Sequence, residues 1–436
     1  MPSTPAQTLE DGLDVNMVAF HFDLAVASAL PLPDFVRLLR GQTEADPRPN
    51  KDLYELPLPR DPALHEAARR WNEVVRHGVV PEWLPSRPAR QPSRPRNHSS
   101  IDEHLSQVWA HIRKGQADGR YLVVRASLLD QWHDIFLSPI GVVAKDGTDI
   151  RVIDDYSFPE GSSINDFTDR SHLPAIKYNP PADIARRIVE LRREYPDIRI
   201  LLMLGDVAGA FRHVPVSADH AHMFAFVLGE YLVVDLACGF GWCGSPAWYF
   251  LPGTLINGLY EESPCATTAV SRPLTGLFWC DDHTCIEPED GLRCFKANLA
   301  LRRAMATVLG PKAINTRKFK WSEQGRALGL LWDTRAGTLT IPAEKISKAQ
   351  QRVQALLDGG TTTKTNLLQL LGSLRHVASC CPPARAFYQR LQTAANTSRR
   401  YGRHQLSADA FQDLHWFRYI LLRPSRFNGI PISQSG

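Results

Sequence analysis

The stretch Phe278-Trp-Cys-Asp-Asp-His-Thr-Cys-Ile286 places two adjacent acids between two short apolar runs. Short apolar runs on either side of a polar pair are typical of a β-hairpin. Residues 278–280 and 284–286 are therefore predicted to be its strands, with Asp281 and Asp282 at the tip. Two like charges side by side repel each other, and a nearby cation relieves that repulsion.

A third acid, Asp206, follows the apolar run Ile198-Arg-Ile-Leu-Leu-Met-Leu204, which is typical of a buried central strand. A carboxylate at the end of a buried strand costs free energy unless a partner neutralises it. If Asp206 meets Asp281 and Asp282, Mg²⁺ suits the group because it prefers hard oxygen ligands. On spacing alone, a solvated turn is the better explanation of an Asp-Asp pair.

Length and composition indicate a globular protein of several parts. A chain of 436 residues exceeds one ordinary domain, so two to four domains or subdomains are expected. Hydrophobic residues make up 44% of the chain, enough for real cores. Fifty basic and 46 acidic residues give a net charge of +4, which permits a polyanionic partner without requiring one.

Cysteine usage and hydropathy indicate an intracellular protein. The eight cysteines contain no CxxC pair, which favours free thiols in a reducing compartment. Cys280, His283 and Cys285 lack the second ligand pair that a zinc site needs. No secretory signal pattern and no apolar stretch of membrane-spanning length is visible. We expect location in the cytoplasm or nucleus, no secretion and no membrane partner.

Four segments are predicted along the chain. Residues 1–84 form an N-terminal region to which no role is assigned. Residues 85–99 are a Pro/Arg-rich linker, because four prolines and four arginines within 85–96 make it too extended and charged to pack. We interpret this linker as a solvated hinge. A weaker interpretation is an arm that rests on the phosphate backbone of a nucleic acid. Residues 100–341 mix helix and strand patterns, and residues 342–436 are almost wholly helical. The fold class is α+β.

Periodicity also predicts individual elements. Outside the acidic hairpin, a second hairpin is predicted from strands 223–228 and 231–236, joined by Gly229-Glu230. The predicted helices are 182–195, 291–309, 342–357, 364–379, 383–395 and 407–422.

The order of motifs resembles that of the reverse transcriptases of retroviruses and retrotransposons over about residues 135–425. In chain order, the similar stretches are Gly141-Val-Val-Ala-Lys-Asp-Gly-Thr-Asp-Ile-Arg-Val-Ile-Asp-Asp-Tyr-Ser157, Ser163-Ile-Asn165, Leu204-Gly-Asp-Val-Ala-Gly-Ala-Phe-Arg212, Phe240-Gly-Trp-Cys-Gly-Ser-Pro-Ala-Trp-Tyr-Phe250, Phe278-Trp-Cys-Asp-Asp-His283, Ile314-Asn-Thr-Arg-Lys-Phe-Lys-Trp321 and Leu328-Gly-Leu-Leu-Trp-Asp333. Two later stretches, within 367–375 and 411–416, are similar to the tyrosine-recombinase (DIRS-like) type of retrotransposon.

The resemblance implies a right-hand polymerase fold: fingers, a palm of antiparallel sheet plus helices, and a helical thumb and connection. Fingers and palm would occupy residues 100–341, and thumb and connection 342–436. It also implies an RNA-directed DNA polymerase, with an RNA template, a DNA primer or hybrid duplex, and deoxynucleoside triphosphates as partners. Two Mg²⁺ ions are implied as cofactors, with Mn²⁺ as a substitute.

The same resemblance implies roles for the metal-binding acids. Asp206 and Asp281 would be metal ligands, and the backbone carbonyl of Val207 would complete the site. Asp282 would be a catalytic acid and a less central metal ligand.

Five further residues would bind the nucleotide. Lys145 and Arg151 would contact the triphosphate. Phe211 would exclude a 2′-hydroxyl, although it could also serve as core packing. Gly241 would lie under the template–nucleotide pair. Lys318 would contact phosphate or donate a proton, with Lys320 as a competitor for that role.

Departures from the family pattern leave other functions open. Gly209 stands where many relatives carry aspartate or serine, and Trp279 replaces the usual tyrosine or phenylalanine. One alternative is a domesticated or inactive reverse-transcriptase-like protein that binds nucleic acid. Another is an RNA-synthesising relative, against which Phe211 argues.

Overall fold

A computed structural model describes residues 12–144, 150–381 and 383–434, and shows a protein of mixed helix and sheet. The helices are α1 Val15–Ser28, α2 Leu32–Leu39, α3 His65–His77, α4 Leu105–Ala117, α5 Ile164–Phe167, α6 Pro181–Glu194, α7 Ser245–Glu261, α8 Arg293–Leu309, α9 Ala343–Gly359, α10 Lys364–Cys380, α11 Ala384–Thr397 and α12 Ala408–Leu421. The strands are β1 Tyr121–Arg125, β2 Ile140–Ala144, β3 Ile150–Asp154, β4 Ile200–Asp206, β5 Ala225–Leu228, β6 Tyr231–Asp235, β7 Gly276–Trp279, β8 Asp282–Pro288, β9 Trp321–Ser322, β10 Gln324–Ala327, β11 Leu330–Asp333, β12 Thr338–Thr340, β13 Thr361–Thr362, β14 His404–Gln405 and β15 Ile430–Pro431.

The chain divides into two units that interleave along the sequence. The first unit comprises the described residues within 1–177, 207–259 and 302–314. The second comprises those within 178–206, 260–301 and 315–436. These divisions differ from the segments predicted from composition, and the assignment of fingers, palm and thumb stays a prediction.

The first unit contains two antiparallel sheets. One has the strand order β1-β6-β5, and the other is the β2–β3 hairpin. Strands β5 and β6 pair from Leu228 opposite Tyr231, which confirms the predicted hairpin. Gly229 adopts φ +59° in the connection, a conformation that glycine tolerates best. Buried side chains from the two faces of this sheet enter separate apolar clusters.

The Pro/Arg-rich segment packs against the first unit, so the expectation that it cannot pack is wrong. No helix or strand occurs in it before Ser99. The Gln91 side chain nevertheless exchanges two hydrogen bonds with the backbone of Leu137, both 2.8 Å. Asn97 donates to the Val227 carbonyl at 2.7 Å and accepts from Ile140 N. These side chains satisfy backbone groups of the sheets, which offsets the absence of regular structure in the segment itself.

The second unit is built on a sheet of order β7-β8-β4-β9. The β7–β8 hairpin confirms the one predicted around the paired acids, but its two-residue turn is Cys280-Asp281 and not Asp281-Asp282, because Asp282 already pairs with Trp279. The strand predicted over residues 198–204 is β4, shifted by two residues, so Asp206 is its last residue. The side chains of Ile200–Met203 are buried, as expected for a central strand.

A second sheet and the C-terminal helices complete this unit. The order of that sheet is β10-β11-β12-β15. Helices α9 to α12 confirm the four helices predicted beyond residue 342, with ends within two residues of those expected. Their buried leucines join residues from α6, β4 and β11 in one apolar cluster. Short strands β13 and β14 pair between these helices, a feature the helical periodicity did not predict.

A buried ion cluster joins three elements of the second unit. Glu287 on β8 has no exposed surface, and its carboxylate accepts from Arg187 on α6 at 3.3 Å and from Arg293 on α8 at 2.7 Å. Burial raises the pKa of Glu287, and the two arginines oppose that shift. The cluster therefore anchors β8, the strand that begins with Asp282.

Two sequence expectations concern cysteines and membranes. All eight cysteines lie among the described residues and are free thiols. Within the part of the chain that the structure describes, no helix combines the length and the apolar content needed to cross a bilayer.

Candidate active site at the β7–β8 hairpin

The tip of the β7–β8 hairpin is a two-residue turn formed by Cys280 and Asp281. Trp279 and Asp282 are cross-strand partners on either side of it. Cys280 has φ +54°, a left-handed conformation that is uncommon for a residue other than glycine. Backbone conformations of this kind persist where the surrounding structure enforces them. The turn thus holds Asp281 at the tip and makes Asp282 the first residue of β8.

The register of the sheet brings Asp206 next to this tip. Asp206 and Asp282 are directly opposite partners at the ends of β4 and β8. Directly opposite residues on antiparallel strands point to the same face of the sheet, with Cβ atoms about 4.5–5.5 Å apart. Asp206 is partly buried there. The pairing itself therefore brings two of the three acids together, at the ends of β4 and β8.

The electrostatics of Asp282 show that the three acids interact. Partial loss of solvent, followed by repulsion from Asp281 and Asp206, raises the pKa of Asp282 to about 6. A cation placed among the carboxylates would relieve this repulsion and keep Asp282 ionised at neutral pH.

The donor set fits a hard divalent cation in chemical type. Carboxylate oxygens are the ligands that Mg²⁺ prefers. Among the residues described, however, no three Asp, Glu, His or Cys side chains are already arranged as a metal site. Like charges spread apart unless a cation draws them together. The metal-ligand roles of Asp206, Asp281 and Asp282 stay predictions.

A loop of residues 315–319 wraps around the end of β4. The Asn315 side chain donates to Asp206 Oδ2 at 2.6 Å, and Asn315 N donates to the Asp206 carbonyl at 3.2 Å. Phe319 N donates to the Leu204 carbonyl at 2.9 Å. These contacts fix the orientation of the Asp206 carboxylate relative to its own strand. Asn315 is a site residue that the sequence did not single out.

Gly205 explains how this loop comes so close to the strand. A Cβ atom at Gly205 would lie 2.4 Å from Leu301 Cδ2 and 3.2 Å from the Phe319 ring. Contacts under 3.0 Å require the neighbour to move. A glycine directly before Asp206 therefore lets α8 and the loop pack against β4 at the site.

Lys318 belongs to the same environment. Its ammonium group lowers the pKa of Asp282, against the repulsion from the other acids. Lys318 is exposed, and its backbone N donates to the Asn315 carbonyl within the loop. Of the two lysines considered from the sequence, the structure favours Lys318 over Lys320 as the one that acts on the acids.

Two residues that precede α6, Tyr178 and Asn179, contact the hairpin. Asn179 exchanges two 3.1 Å hydrogen bonds with the backbone of Phe278 on β7. The Tyr178 ring packs against Phe278 and Trp279, with centroids 5.7 and 5.1 Å apart. Burial, with Cys280 and Asp281 nearby, raises the pKa of the Tyr178 hydroxyl, which keeps it protonated. These contacts limit the movement of the strand that leads into the acidic turn.

The thiols near the hairpin are poor metal ligands. Burial, reinforced by Asp281, raises the pKa of Cys280 to about 12, and burial raises that of Cys285 to about 12. Burial lowers the pKa of His283 to about 3, so its imidazole is neutral. Zinc ligation requires thiolates, which these pKa values disfavour.

The other predicted site residues lie in the first unit or outside the described residues. Val207 pairs with Ile314 in an isolated bridge. Arg151 is exposed on β3, opposite Val143. Lys145 falls outside the described residues. The roles assigned to these three residues stay predictions.

Phe211 and Gly241 lie in well-packed surroundings of the first unit. Phe211 is 7% exposed, with its ring centroid 4.9 Å from that of Phe240 and 5.5 Å from that of Tyr249. Gly241 has φ +111°, and a Cβ atom there would lie 2.3 Å from the Asp154 carbonyl oxygen. Only glycine fits that position. Core packing of Phe211 is thus observed, and its role towards a sugar stays a prediction.

Asn165 organises the loop that carries Gly241. Its side chain donates to the Gly241 carbonyl at 2.9 Å and accepts from Cys243 N at 2.8 Å. It also donates to the Ser157 hydroxyl at 2.7 Å. One amide side chain therefore connects three of the stretches that carry the family resemblance.

Comparison with known proteins gives no sequence relative. No protein-family model and no curated protein matches the chain. Among solved structures, similar ones include three of a foamy viral protease-reverse transcriptase: a dRH form in complex with double-stranded DNA, one with an RNA/DNA hybrid and one with double-stranded DNA. Each has a TM-score of 0.49 and covers 90% of this chain, at 14%, 13% and 13% identity respectively. The chain spans 60%, 46% and 72% of those proteins, respectively. A likeness at this level says nothing about activity.

Proposed function

We propose that this protein is a reverse transcriptase that adds deoxynucleotides to a primer 3′-end on an RNA or DNA template. The observation that carries the proposal is the position of Asp206 beside the hairpin that bears Asp281 and Asp282. The acids come from two stretches about 75 residues apart, and the strand register places Asp206 opposite Asp282. A solvated turn would not need a third acid on the neighbouring strand.

Each acidic residue has a role in this proposal. Asp206 and Asp281 would hold the metal ions, with Asp282 beside them and the Val207 carbonyl completing the set. Asn315 keeps the Asp206 carboxylate oriented through its 2.6 Å hydrogen bond. When bound, two Mg²⁺ ions, or Mn²⁺ in their place, would activate the primer hydroxyl and stabilise the leaving pyrophosphate.

The roles proposed for the nucleotide-binding residues follow the family resemblance. Lys318 is near enough to the acids to lower the pKa of Asp282, and its ammonium group would contact phosphate oxygens. Arg151 and Lys145 would contact the triphosphate, and an arginine pairs with phosphate oxygens in a fixed planar geometry. Phe211 would exclude ribonucleotides. Gly241 would leave room for the template–nucleotide pair.

A right-hand arrangement of fingers, palm and thumb is part of the same proposal. The sheet of the second unit would be the palm, and α9 to α12 the thumb and connection. Arginines of these helices would follow the phosphates of a hybrid duplex without reading its sequence. A retrotransposon, of the tyrosine-recombinase type, is proposed as the genetic source.

Primer extension on an RNA template tests the proposal. Purified protein is incubated with Mg²⁺, a labelled DNA primer and either deoxynucleotides or ribonucleotides. We expect extension with deoxynucleotides. Binding of the hybrid without any extension would favour an inactive, domesticated relative. Extension with ribonucleotides alone would favour an RNA polymerase.

Substitution of Phe211 tests the proposed sugar selectivity. Phe211→Val is expected to lower the ratio of kcat/KM for a deoxynucleotide to that for its ribonucleotide about tenfold or more, because a smaller side chain leaves room for a 2′-hydroxyl. The ratio is measured by single-nucleotide extension with both substrates on one preparation, so partial unfolding affects both equally. Phe167→Val, at a 6% exposed phenylalanine of the same unit, is the control. An unchanged ratio in Phe211→Val would show that Phe211 contributes to core packing and not to sugar selectivity.

Substitution of Asn315 tests its role as a positioning residue. Asn315→Ala is expected to lower kcat for extension roughly tenfold, since groups that orient metal ligands contribute about 10–100-fold. KM for the nucleotide should stay within about twofold, because Asn315 contacts Asp206 and no substrate role is assigned to it. Thr316→Ala, at the exposed neighbour in the loop, is expected to change neither constant. An equal rise in KM would contradict the positioning role.

A further inference from the structure

A cavity of about 550 Å³ in the first unit is lined by an unusual number of cationic side chains. It lies between α4, the start of β1, the β3 strand and the residues that flank the Phe211 segment. Lys114, Arg120, Arg151 and Arg212 line it, together with two acids, Asp154 and Asp235. Of these residues, Arg151, Asp154 and Arg212 lie in stretches that carry the family resemblance.

Arg120 is the exceptional member of this group. It is 7% exposed, and none of its three guanidinium nitrogens has a hydrogen-bond partner among the residues described. Its guanidinium carbon lies 4.4 Å from the centroid of the Tyr121 ring. Burying a charge without hydrogen bonds is costly, and protein interiors avoid it unless a counter-charge is close.

The two acids of the cavity do not balance its cations. Burial, reinforced by Asp235, raises the pKa of Asp154 to about 8, so this carboxyl is mainly protonated at neutral pH. Burial raises the pKa of Asp235 to about 6, against the effect of Arg120 and Arg212, so this carboxyl is mainly ionised. One ionised acid therefore faces buried Arg120 and partly buried Arg212, and exposed Lys114 and Arg151 line the same cavity.

The neighbouring groups also respond to this excess of positive charge. Burial, with smaller contributions from Arg120, Arg212 and Lys114, lowers the pKa of His111 to about 4, so the imidazole is neutral. Burial, then repulsion by Arg120, lowers the pKa of Arg212. The Arg212 guanidinium is only partly buried and lies 5.9 Å from the Phe240 ring centroid. It can present donors to the cavity.

We propose that this cavity binds a compact polyphosphate anion, held by donors from Arg212 and by the positive field of buried Arg120. The nitrogens of Arg120 are themselves out of reach of water, so Arg120 acts through its charge in a region of low dielectric constant. Guanidinium groups match phosphate oxygens in geometry.

The size of the cavity favours a small ligand over a nucleic-acid strand. Pockets for small molecules occupy about 300–1,000 Å³, and this cavity lies within that range. The phosphate chain is the recognised group, and it is carried either by a nucleoside triphosphate or by inorganic polyphosphate. If the carrier is the incoming nucleotide, the inference rests on the proposed polymerase function.

Calorimetric titration in EDTA tests the site without any metal-dependent step. The full chain is titrated with sodium tripolyphosphate, with deoxythymidine triphosphate and with thymidine. We expect both phosphate compounds to bind and thymidine not to bind. Equal affinities identify the phosphate chain alone as the ligand, and tighter binding of the nucleotide identifies the nucleotide as its carrier.

Variants of Arg120 separate anion binding from a structural role. Arg120→Met is expected to weaken tripolyphosphate binding about tenfold or more, and Arg120→Lys to restore most of it, since lysine keeps the charge. Arg125→Met is the matched control, because Arg125 is an exposed arginine in the same unit that pairs with Glu230. Absence of tripolyphosphate binding, or equal affinity in Arg120→Met and wild type, overturns the proposal. If the wild-type protein binds tripolyphosphate but does not extend a primer, the result contradicts the proposed polymerase function and leaves the proposed anion site standing.

Discussion

Replacing Asp281 by asparagine is expected to lower the rate of primer extension about a thousandfold or more. The substitution keeps the shape of the side chain and removes the negative charge that would hold a metal ion. Metal ions contribute several kcal/mol to the stabilisation of a phosphoryl-transfer transition state, and each 1.36 kcal/mol corresponds to a factor of ten in rate. Single-turnover extension of a labelled primer in Mg²⁺ gives the rate.

Stability distinguishes this catalytic role from a structural one. In the metal-free protein, Asp281 repels Asp282 and contributes to raising its pKa. Asp281→Asn removes that repulsion, so the thermal midpoint of the metal-free variant should equal or exceed that of wild type. A catalytic loss with no loss of stability is the pattern expected of a functional site. A lower midpoint would indicate that Asp281 supports the hairpin.

Metal binding supplies a second readout that is independent of activity. A ligand that binds only the folded state raises the free energy of unfolding by an amount that grows with the logarithm of its concentration relative to Kd. Mg²⁺ is therefore expected to raise the thermal midpoint of wild type more than that of Asp281→Asn. Asp358→Asn, at an exposed acid near the end of α9, carries the same charge change and should behave like wild type. An equal effect of Mg²⁺ on all three proteins would contradict a metal site at the hairpin.

Local patterns in the sequence were sufficient to predict the acidic hairpin. Alternating short apolar runs fix strands within a few residues of the turn, and β7 and β8 formed as expected. The end of β4 was predicted less well, because the apolar run stops at Leu204 while the ladder continues to Asp206. Pairing with β8 extends the strand through Gly205. The end of this strand is therefore set by a tertiary contact, which the periodicity of the sequence does not reveal.

Contacts distant in sequence were not predictable from these patterns. Asn315 and Asp206 are 109 residues apart, and nothing around Asn315 distinguishes it from a polar loop residue. The stretch that contains it was selected for its lysines. Conversely, the Pro/Arg-rich segment was judged by composition alone, while its packing depends on two amide side chains, Gln91 and Asn97. Amides pair with backbone groups anywhere in the fold, so composition does not reveal their partners.

The buried ion cluster around Glu287 provides the largest expected effect on stability. Glu287 lies just beyond the predicted strand 284–286, yet it is fully buried between Arg187 and Arg293. Removing one partner of a buried pair leaves the other charge without compensation, at a cost of about 3–5 kcal/mol. Glu287→Ala leaves two such arginines.

We expect Glu287→Ala to reduce the free energy of unfolding by about 3–5 kcal/mol, measured by urea unfolding monitored through tryptophan fluorescence. Glu289→Ala is the matched control: Glu289 follows two residues later and pairs with Arg199, but both side chains are exposed. Exposed pairs contribute about 0–1 kcal/mol, so the control should unfold close to wild type. Because Glu287 anchors the strand that begins at Asp282, the variant should also lose extension activity at urea concentrations where wild type stays active. Equal stabilities of the two variants would show that the cluster is not what holds β8.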